Sequence, residues 1–270
     1  MIRMIAKRAV PIAALTLAAT LSGCSYSVDW GDVEGVALSE FDMSGEAPDT
    51  IQLAGPDKII ISQGEGLSIT LEGDEEAGEA LRFDRDGDRL TIARDRDIYD
   101  GSGSALILVT MPAPEALEVA GSGDIEAVAM ASNAEIDIAG SGNVKVASIE
   151  AEELDVNIAG SGDVSAAGTA SVLDLSIAGS GDVRFAELTA DTVAISIAGS
   201  GNVNVASNGT VDASIAGSGN IKVTGSATCS VSTAGSGSLK CSPAEAAPAP
   251  PLEPAAPATA EEPAEESEAE

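Results

Sequence analysis

The chain contains no histidine, and its aromatic residues number only one Trp, two Tyr and three Phe among 270 residues. Without histidine, Ser-His-Asp and Cys-His catalytic groupings and His-ligated metal centres are excluded. So few aromatics leave no stacking platform for sugars or bases. Basic residues are also scarce: 13 Lys plus Arg stand against 44 Asp plus Glu, a formal charge of −31. That balance argues against nucleic acid as a partner, because a phosphate backbone is bound by clustered Lys and Arg. Gly, by contrast, is abundant at 29, and the 44 % share of hydrophobic residues lies in the range that builds a core.

Residues 1–23 read as an export signal. Arg3, Lys7 and Arg8 precede an apolar run over Ala9–Ala19 that is too short to span a bilayer as a permanent helix. The segment ends in Leu21-Ser22-Gly23-Cys24, which resembles the lipobox of bacterial lipoproteins. The resemblance implies lipidation at Cys24 and a partner in the membrane through the lipid anchor. An ordinary secretory signal is the alternative. Ser25, by resemblance to enterobacterial sorting, implies the outer membrane of the cell envelope. Residues 24–39 have no sustained period and read as a tether.

Residues 40–112 read as a β-rich segment. Ile51–Leu53, Lys58–Ser62, Leu67–Leu71, Arg89–Ile92 and Ala105–Thr110 are short β-type runs between turn signals, and Asp74–Leu81 suits a short helix or turn. Asp84-Arg85-Asp86-Gly87-Asp88 invites comparison with a calcium loop, but Asp-Gly between two alternating runs favours a hairpin turn. The tail, 242–270, combines Pro, Ala and eight Glu with no basic residue, a composition expected to be disordered.

Residues 113–241 carry the decisive signal. Ala-Gly-Ser-Gly occurs seven times, with its first glycine at Gly121, Gly140, Gly160, Gly179, Gly199, Gly217 and Gly235. A period of 18–20 residues indicates a solenoid. Two residues before that glycine stand Val119, Ile138, Ile158, Ile177, Ile197, Ile215 and Thr233. Four after it stand Ile125, Val144, Val164, Val183, Val203, Ile221 and Leu239. Alternation with polar or small residues on both sides of a glycine corner predicts two or three short strands per repeat, each with one face inward. Stacked repeats give a right-handed parallel β-helix of about seven coils. An antiparallel barrel or propeller is the alternative. Asp or Asn follows the first six corners, at Asp124, Asn143, Asp163, Asp182, Asn202 and Asn220, where either residue is expected to bond its own turn backbone.

Ile-Ala-Gly-Ser-Gly-Asp/Asn-Val repeats, preceded by Phe41-Asp42-Met43-Ser44-Gly45, Lys58–Gly64 and Leu90-Thr91-Ile92, resemble the head GIN domain family, labelled putative auto-transporter adhesins. The resemblance implies a β-helical envelope protein with an adhesive role. It carries over no catalytic or binding residues and no cofactor.

Several residues stand out as sites. Cys229 and Cys241 fall six residues before and after the last corner glycine, so both thiols should face inward and form a disulfide in an exported protein; two reduced thiols are the alternative. Lys145, Arg184, Lys222 and Lys240, each five residues after a corner glycine, should share one outward column. This column is a candidate binding face for an anionic partner such as polysaccharide or another envelope component. Asp163 and Asp182, in adjacent coils, are the best pair for calcium, although a ladder of Asx turns fits the Asp/Asn column better. The reading is a non-enzymatic, lipid-anchored envelope protein that presents a β-helical surface for adhesion or binding. A structural spacer without a ligand is the first alternative, and a polysaccharide-acting β-helix enzyme is the second.

Overall fold

The computed structural model describes residues 35–95, 97–99, 101 and 103–242. The export signal, the Cys24 lipidation site, the tether up to residue 34 and the acidic tail from residue 243 lie outside the described residues.

The alternating sequence around each corner is what sets the strands. β7 (Ala116–Gly121) and β8 (Asp124–Ala129) form the first repeat coil. β9 (Asn133–Gly140), β10 (Asn143–Gly160), β11 (Val164–Gly179), β12 (Asp182–Gly199) and β13 (Asn202–Gly217) continue the winding, and β14 (Asn220–Thr224), β15 (Thr228–Gly235) and β16 (Ser238–Ser242) complete it. Equivalent residues pair in parallel register from coil to coil: Ile138 with Ile158, Ile158 with Ile177, Ile177 with Ile197, Ile197 with Ile215. The fold is therefore a parallel β-solenoid. Its Ile and Val ladders, Ile138 to Ile215 before the corner and Val144 to Ile221 after it, are buried and form one continuous core.

The long strands β10 to β13 run on into a third side of the coil, where Ile149, Gly168 and Leu188 are in register, as are Ala151, Ala170 and Ala190. Among the paired repeat strands, register breaks occur on this side, between Val146 and Ile149, Ser165 and Ala167, Phe185 and Thr189, and Ala190 and Thr192. The repeats of 18 to 20 residues thus absorb their length differences away from the corner. The corner has no such freedom. Gly160 has φ +140°, and a Cβ on it would overlap the carbonyl oxygen of Gly140 in the preceding coil, so only glycine lets the two backbones stack.

The N-terminal segment is part of the same stack. Its elements are β1 (Thr50–Gly55), β2 (Lys58–Gln63), β3 (Ser68–Gly73), α1 (Glu75–Glu79), β4 (Leu81–Asp86), β5 (Arg89–Arg94) and β6 (Ala105–Met111). β1 lies between β5 and β7, parallel to both, and β2 lies between β6 and β8, parallel to both. The coil that comes first in the chain is therefore second in the stack, inserted between β5–β6 and β7–β8. β4 and β3 run antiparallel to β5 and β6 and close this end. Asp84–Asp88 belongs to the β4–β5 hairpin, whose turn places Gly87 at φ +60°. Asp74 caps α1 by accepting the Ala77 N–H at 3.0 Å.

Two expectations need correction. Residues 36–39, read as the end of a tether, are tied to the fold: Val36 bridges Phe83 through two backbone hydrogen bonds and Leu38 packs on the core. Ser242, read as the first tail residue, is the last residue of β16 and pairs with Thr224. Cys229 and Cys241 occupy the inward columns of Val211 and Val223, yet Cys241 is exposed and Val231 is 46 % exposed. Among the described residues no further coil covers this end, so an inward position there is not a buried one. Cys229 and Cys241 are joined as a disulfide with Cα atoms 6.7 Å apart.

Candidate functional site

Strand alternation that sends Val144, Val164, Val183, Val203 and Ile221 inward sends the next residue outward. Register then places Glu126, Lys145, Ser165, Arg184, Asn204, Lys222 and Lys240 in one column. Lys145, Arg184, Lys222 and Lys240 are all exposed. At the usual strand spacing of about 4.8 Å, the cations follow one another at roughly 10, 10 and 5 Å along the stack. Their environments differ. Arg184 reaches Asp163 at 2.9 Å and Asp182 at 3.7 Å, whereas Lys145, Lys222 and Lys240 form no ion pair among the described residues. Glu126 heads the column and accepts from Lys58 at 2.7 Å. That hydrogen bond, and the positive charges of Lys58 and Lys145, hold its carboxyl below the usual value.

The Asp/Asn column beside it works mainly between coils; of the expected within-turn bonds, Asn220 makes one, its side-chain amide donating to the Ser218 carbonyl at 3.5 Å. Asp124 Oδ1 accepts from the backbone N–H and side-chain amide of Asn143; Asn143 Oδ1 accepts the Asp163 N–H, and Asp163 Oδ1 the Asp182 N–H. Asp182 Oδ1 accepts both Asn202 donors. Stacking puts the next coil's amide nearer to each oxygen than its own turn, and one oxygen per side chain suffices, which is why Asp and Asn interchange here. In the candidate calcium pair, Asp163 accepts the Asp182 amide and Arg184, and Asp182 accepts from Asn202. Among the described residues no three acidic or cysteine side chains are grouped to hold a metal ion.

A second outward face, before the corner, is acidic. Glu135, Asp155 and Asp174 are register neighbours, with Glu118 and Asp137 alongside. Partial burial raises the Glu135 and Asp155 carboxyls above their ordinary values, and the neighbouring carboxylates push the same way: Asp137 and Asp155 on Glu135, Glu153 and Asp174 on Asp155. Towards the Cys229 end this face turns to Ser176, Ser196, Ser214 and Ser232.

One polar cluster was not singled out from the sequence. Asp57 and Arg94 are an ion pair with side chains 0 % and 3 % exposed. Arg94 Nε donates to Asp57 Oδ2 at 3.1 Å, Nη2 donates to Oδ1, and Nη1 donates to the Gly103 carbonyl at 2.7 Å. Asp57 Oδ1 also accepts the Ala105 N–H at 2.8 Å, and the guanidinium lies 5.4 Å from the Tyr99 ring centroid. The pair sits where the repeats have their glycine corner: Gly55 is in register with Gly121, and Ala93 with Ala54. The signal was available, since Leu53-Ala54-Gly55-Pro56-Asp57 and Ile92-Ala93-Arg94 are variants of Val/Ile-Ala-Gly-Ser-Gly. No buried side-chain nitrogen or oxygen atom of the cluster lacks a hydrogen-bond partner, and the pair ties the Gly103 and Ala105 backbone to this corner.

No helix among the described residues is long and apolar enough to cross a membrane. The family described as "Putative auto-transporter adhesin, head GIN domain" matches residues 47–227. Among solved structures, a putative adhesin from Bacteroides fragilis superposes with a TM-score of 0.67 at 25 % identity, over 73 % of this chain and 93 % of that one. A putative lipid binding protein from Parabacteroides distasonis gives 0.57 at 24 %, over 73 % and 93 %. A putative adhesin from Parabacteroides merdae gives 0.52 at 18 %, over 73 % and 92 %. Among curated proteins nothing matches.

Proposed function

Since the chain belongs to the head GIN domain family of putative auto-transporter adhesins, we propose that it is a non-enzymatic cell-envelope protein, anchored by lipid at Cys24, whose solenoid binds an anionic polymer along the Lys145–Arg184–Lys222–Lys240 column. The observation that carries the reading is the register that aligns these four exposed cations on one strand face. A straight row of cations at multiples of one strand spacing suits an extended chain with recurring negative charge, such as an acidic envelope polysaccharide. The lipobox at Leu21–Cys24 and the basic start before it support anchoring. The lack of histidine and the uniform repeats, with no long insertion between them to wall a cleft, support binding over catalysis.

The test is binding of dextran sulfate and of purified acidic envelope polysaccharide to the full chain and to a variant with Lys145, Arg184, Lys222 and Lys240 all changed to Ser. The expected result is at least a tenfold loss of affinity, with a shallower salt dependence, since each cation removed is one counterion release fewer. All four residues are exposed, so the fold should survive, and circular dichroism checks that it does. Equal affinity of the two folded chains would refute the reading.

A further inference from the structure

β2 and β6 break the alternation of the repeat strands. Ile59-Ile60-Ile61 and Leu106-Ile107-Leu108-Val109 are apolar at every position. Runs of this kind belong to strands covered on both faces. Ile59, Ile61, Ile107 and Val109 are indeed in the core. Ile60 and Leu108 are register neighbours on the opposite, outward face, with Leu106 beside Lys58. There Ile60, Leu106 and Leu108 are only half-buried, and Val128, two residues after Glu126 on the same face, is 48 % exposed. The patch continues the basic column. Ile60 is in register with Glu126, and Glu126 with Lys145. One line of the stack therefore runs from Leu108 and Ile60 through Glu126 to Lys145, Arg184, Lys222 and Lys240. Glu126, the one acid in that line, is paired with Lys58. At about 4.8 Å per strand, Ile60 lies roughly 10 Å from Lys145 and roughly 34 Å from Lys240.

We propose that the ligand of this face is an anionic amphiphile, a lipid-linked acidic polysaccharide whose glycan lies along the cations and whose acyl chain covers Ile60, Leu106, Leu108 and Val128. The inference rests on reading the column as an anion-binding surface, and it names the class of molecule that surface takes. Charge complementarity accounts for the part from Lys145 to Lys240. The other end offers no unpaired charge in the line; what binding gains there is the removal of CH₂ groups from water. Each fully buried methylene strengthens binding about fourfold, and about twofold if half of it stays wet on an open face. Lys58, the register neighbour of Leu106, adds its own methylene stem to the patch. A protein partner fits this end less well. Four partly exposed aliphatic side chains are a small fraction of the roughly 800 Å² per partner that a stable protein interface buries. A single acyl chain needs no more than such a strip. The order of the two parts is fixed as well, with the acyl end towards β6 and the glycan running towards β16.

The test compares two soluble probes: a sulfated maltohexaose with an octyl group at its reducing end, and the same molecule with a methyl group there. Both are used below micelle-forming concentrations. Calorimetric titration of the full chain should show the octyl probe bound at least about tenfold more tightly, the gain from three to four half-shielded methylenes. Ile60→Thr combined with Leu108→Thr keeps strand-forming side chains. It should bring the octyl probe down to the affinity of the methyl probe and leave the methyl probe unchanged. Val128→Thr, at the exposed margin of the patch, should give a smaller loss of the same kind and serves if the double variant fails to fold. Changing Lys145, Arg184, Lys222 and Lys240 to Ser should weaken both probes alike. Equal affinity of two probes that both bind, lost together in the four-Ser chain, overturns the proposal and leaves the anion-binding reading standing. Undiminished binding of both probes to the four-Ser chain, or binding of neither to the unaltered chain, refutes the anion-binding reading and the proposal with it. If the double variant loses affinity only for phosphatidylglycerol vesicles, the patch faces a bilayer and the proposal fails.

Discussion

Replacing Arg94 by Met leaves the Asp57 carboxylate fully buried with the Ala105 N–H as its one remaining donor. The change removes two charge-assisted hydrogen bonds to Asp57, the bond to the Gly103 carbonyl and the stacking on Tyr99. Breaking one partner of a buried pair costs about 3–5 kcal/mol, most of it the burden of the stranded charge. For a folded unit of roughly 200 residues this lowers Tm by about 10–15 °C if unfolding is cooperative. A solenoid can also open at one end, because each coil contacts only its neighbours. Hydrogen exchange should therefore be read alongside calorimetry, and amides of β1, β2, β5 and β6 should lose protection first. Arg94→Lys should recover only part of the loss, because an ammonium cannot make the bidentate contact and the Gly103 bond together. Asp57→Leu combined with Arg94→Met should be less destabilised than the sum of the single changes by at least about 2 kcal/mol. A loss below about 1 kcal/mol for Arg94→Met, or full recovery with Lys, would show that the pair does not hold this corner together.

Two further outcomes follow from the same physics. The raised carboxyl of Asp155 means that the folded state holds the proton more tightly than the unfolded chain, whose ordinary value is 3.8. Stability therefore rises as pH falls through the range just above 3.8, and at neutral pH the ionised group carries the cost of its partial burial and of repulsion by Glu153, Asp174 and Asp137. Asp155→Asn should raise Tm at pH 7 by a few degrees at most and give no advantage near pH 3; a lower Tm at pH 7 contradicts this. Reducing the Cys229–Cys241 bridge, which links residues 12 apart, should cost about 3 kcal/mol in the chain-entropy account, felt as lost amide protection in β15 and β16 with β9 to β12 unchanged. Uniform loss of protection along the stack would argue against a local staple.

The Ala-Gly-Ser-Gly period and the Ile and Val positions around it were enough to specify the parallel solenoid, its inward ladders and the outward column of four cations. Stacking places equivalent residues in register, so a periodic sequence writes its own side-chain ladders. The hairpin over Leu81–Arg94 was equally legible from Asp86-Gly87-Asp88 between alternating runs. Interactions between coils left no such mark. A carboxylate or amide at Asp124 or Asn143 looks the same whether it bonds its own turn or the next coil, and the distance that decides is set only when coils stack. Arg184 reads as one of four equal cations, yet the adjacent coil brings Asp163 to 2.9 Å from it, joining Asp182 two residues earlier in its own strand.

By itself, then, the sequence determined the repeat, its corner glycines and the faces of its strands, because these depend on chemistry within one coil copied along the chain. Only the tertiary structure decided the order of the N-terminal coils, with β1–β2 inserted between β5–β6 and β7–β8. It also decided the burial of Asp57 against Arg94 and the exposure of Cys241 at the last coil. Each of these depends on contacts between segments distant in the chain, or on there being no next coil among the described residues, and neither leaves a period to read.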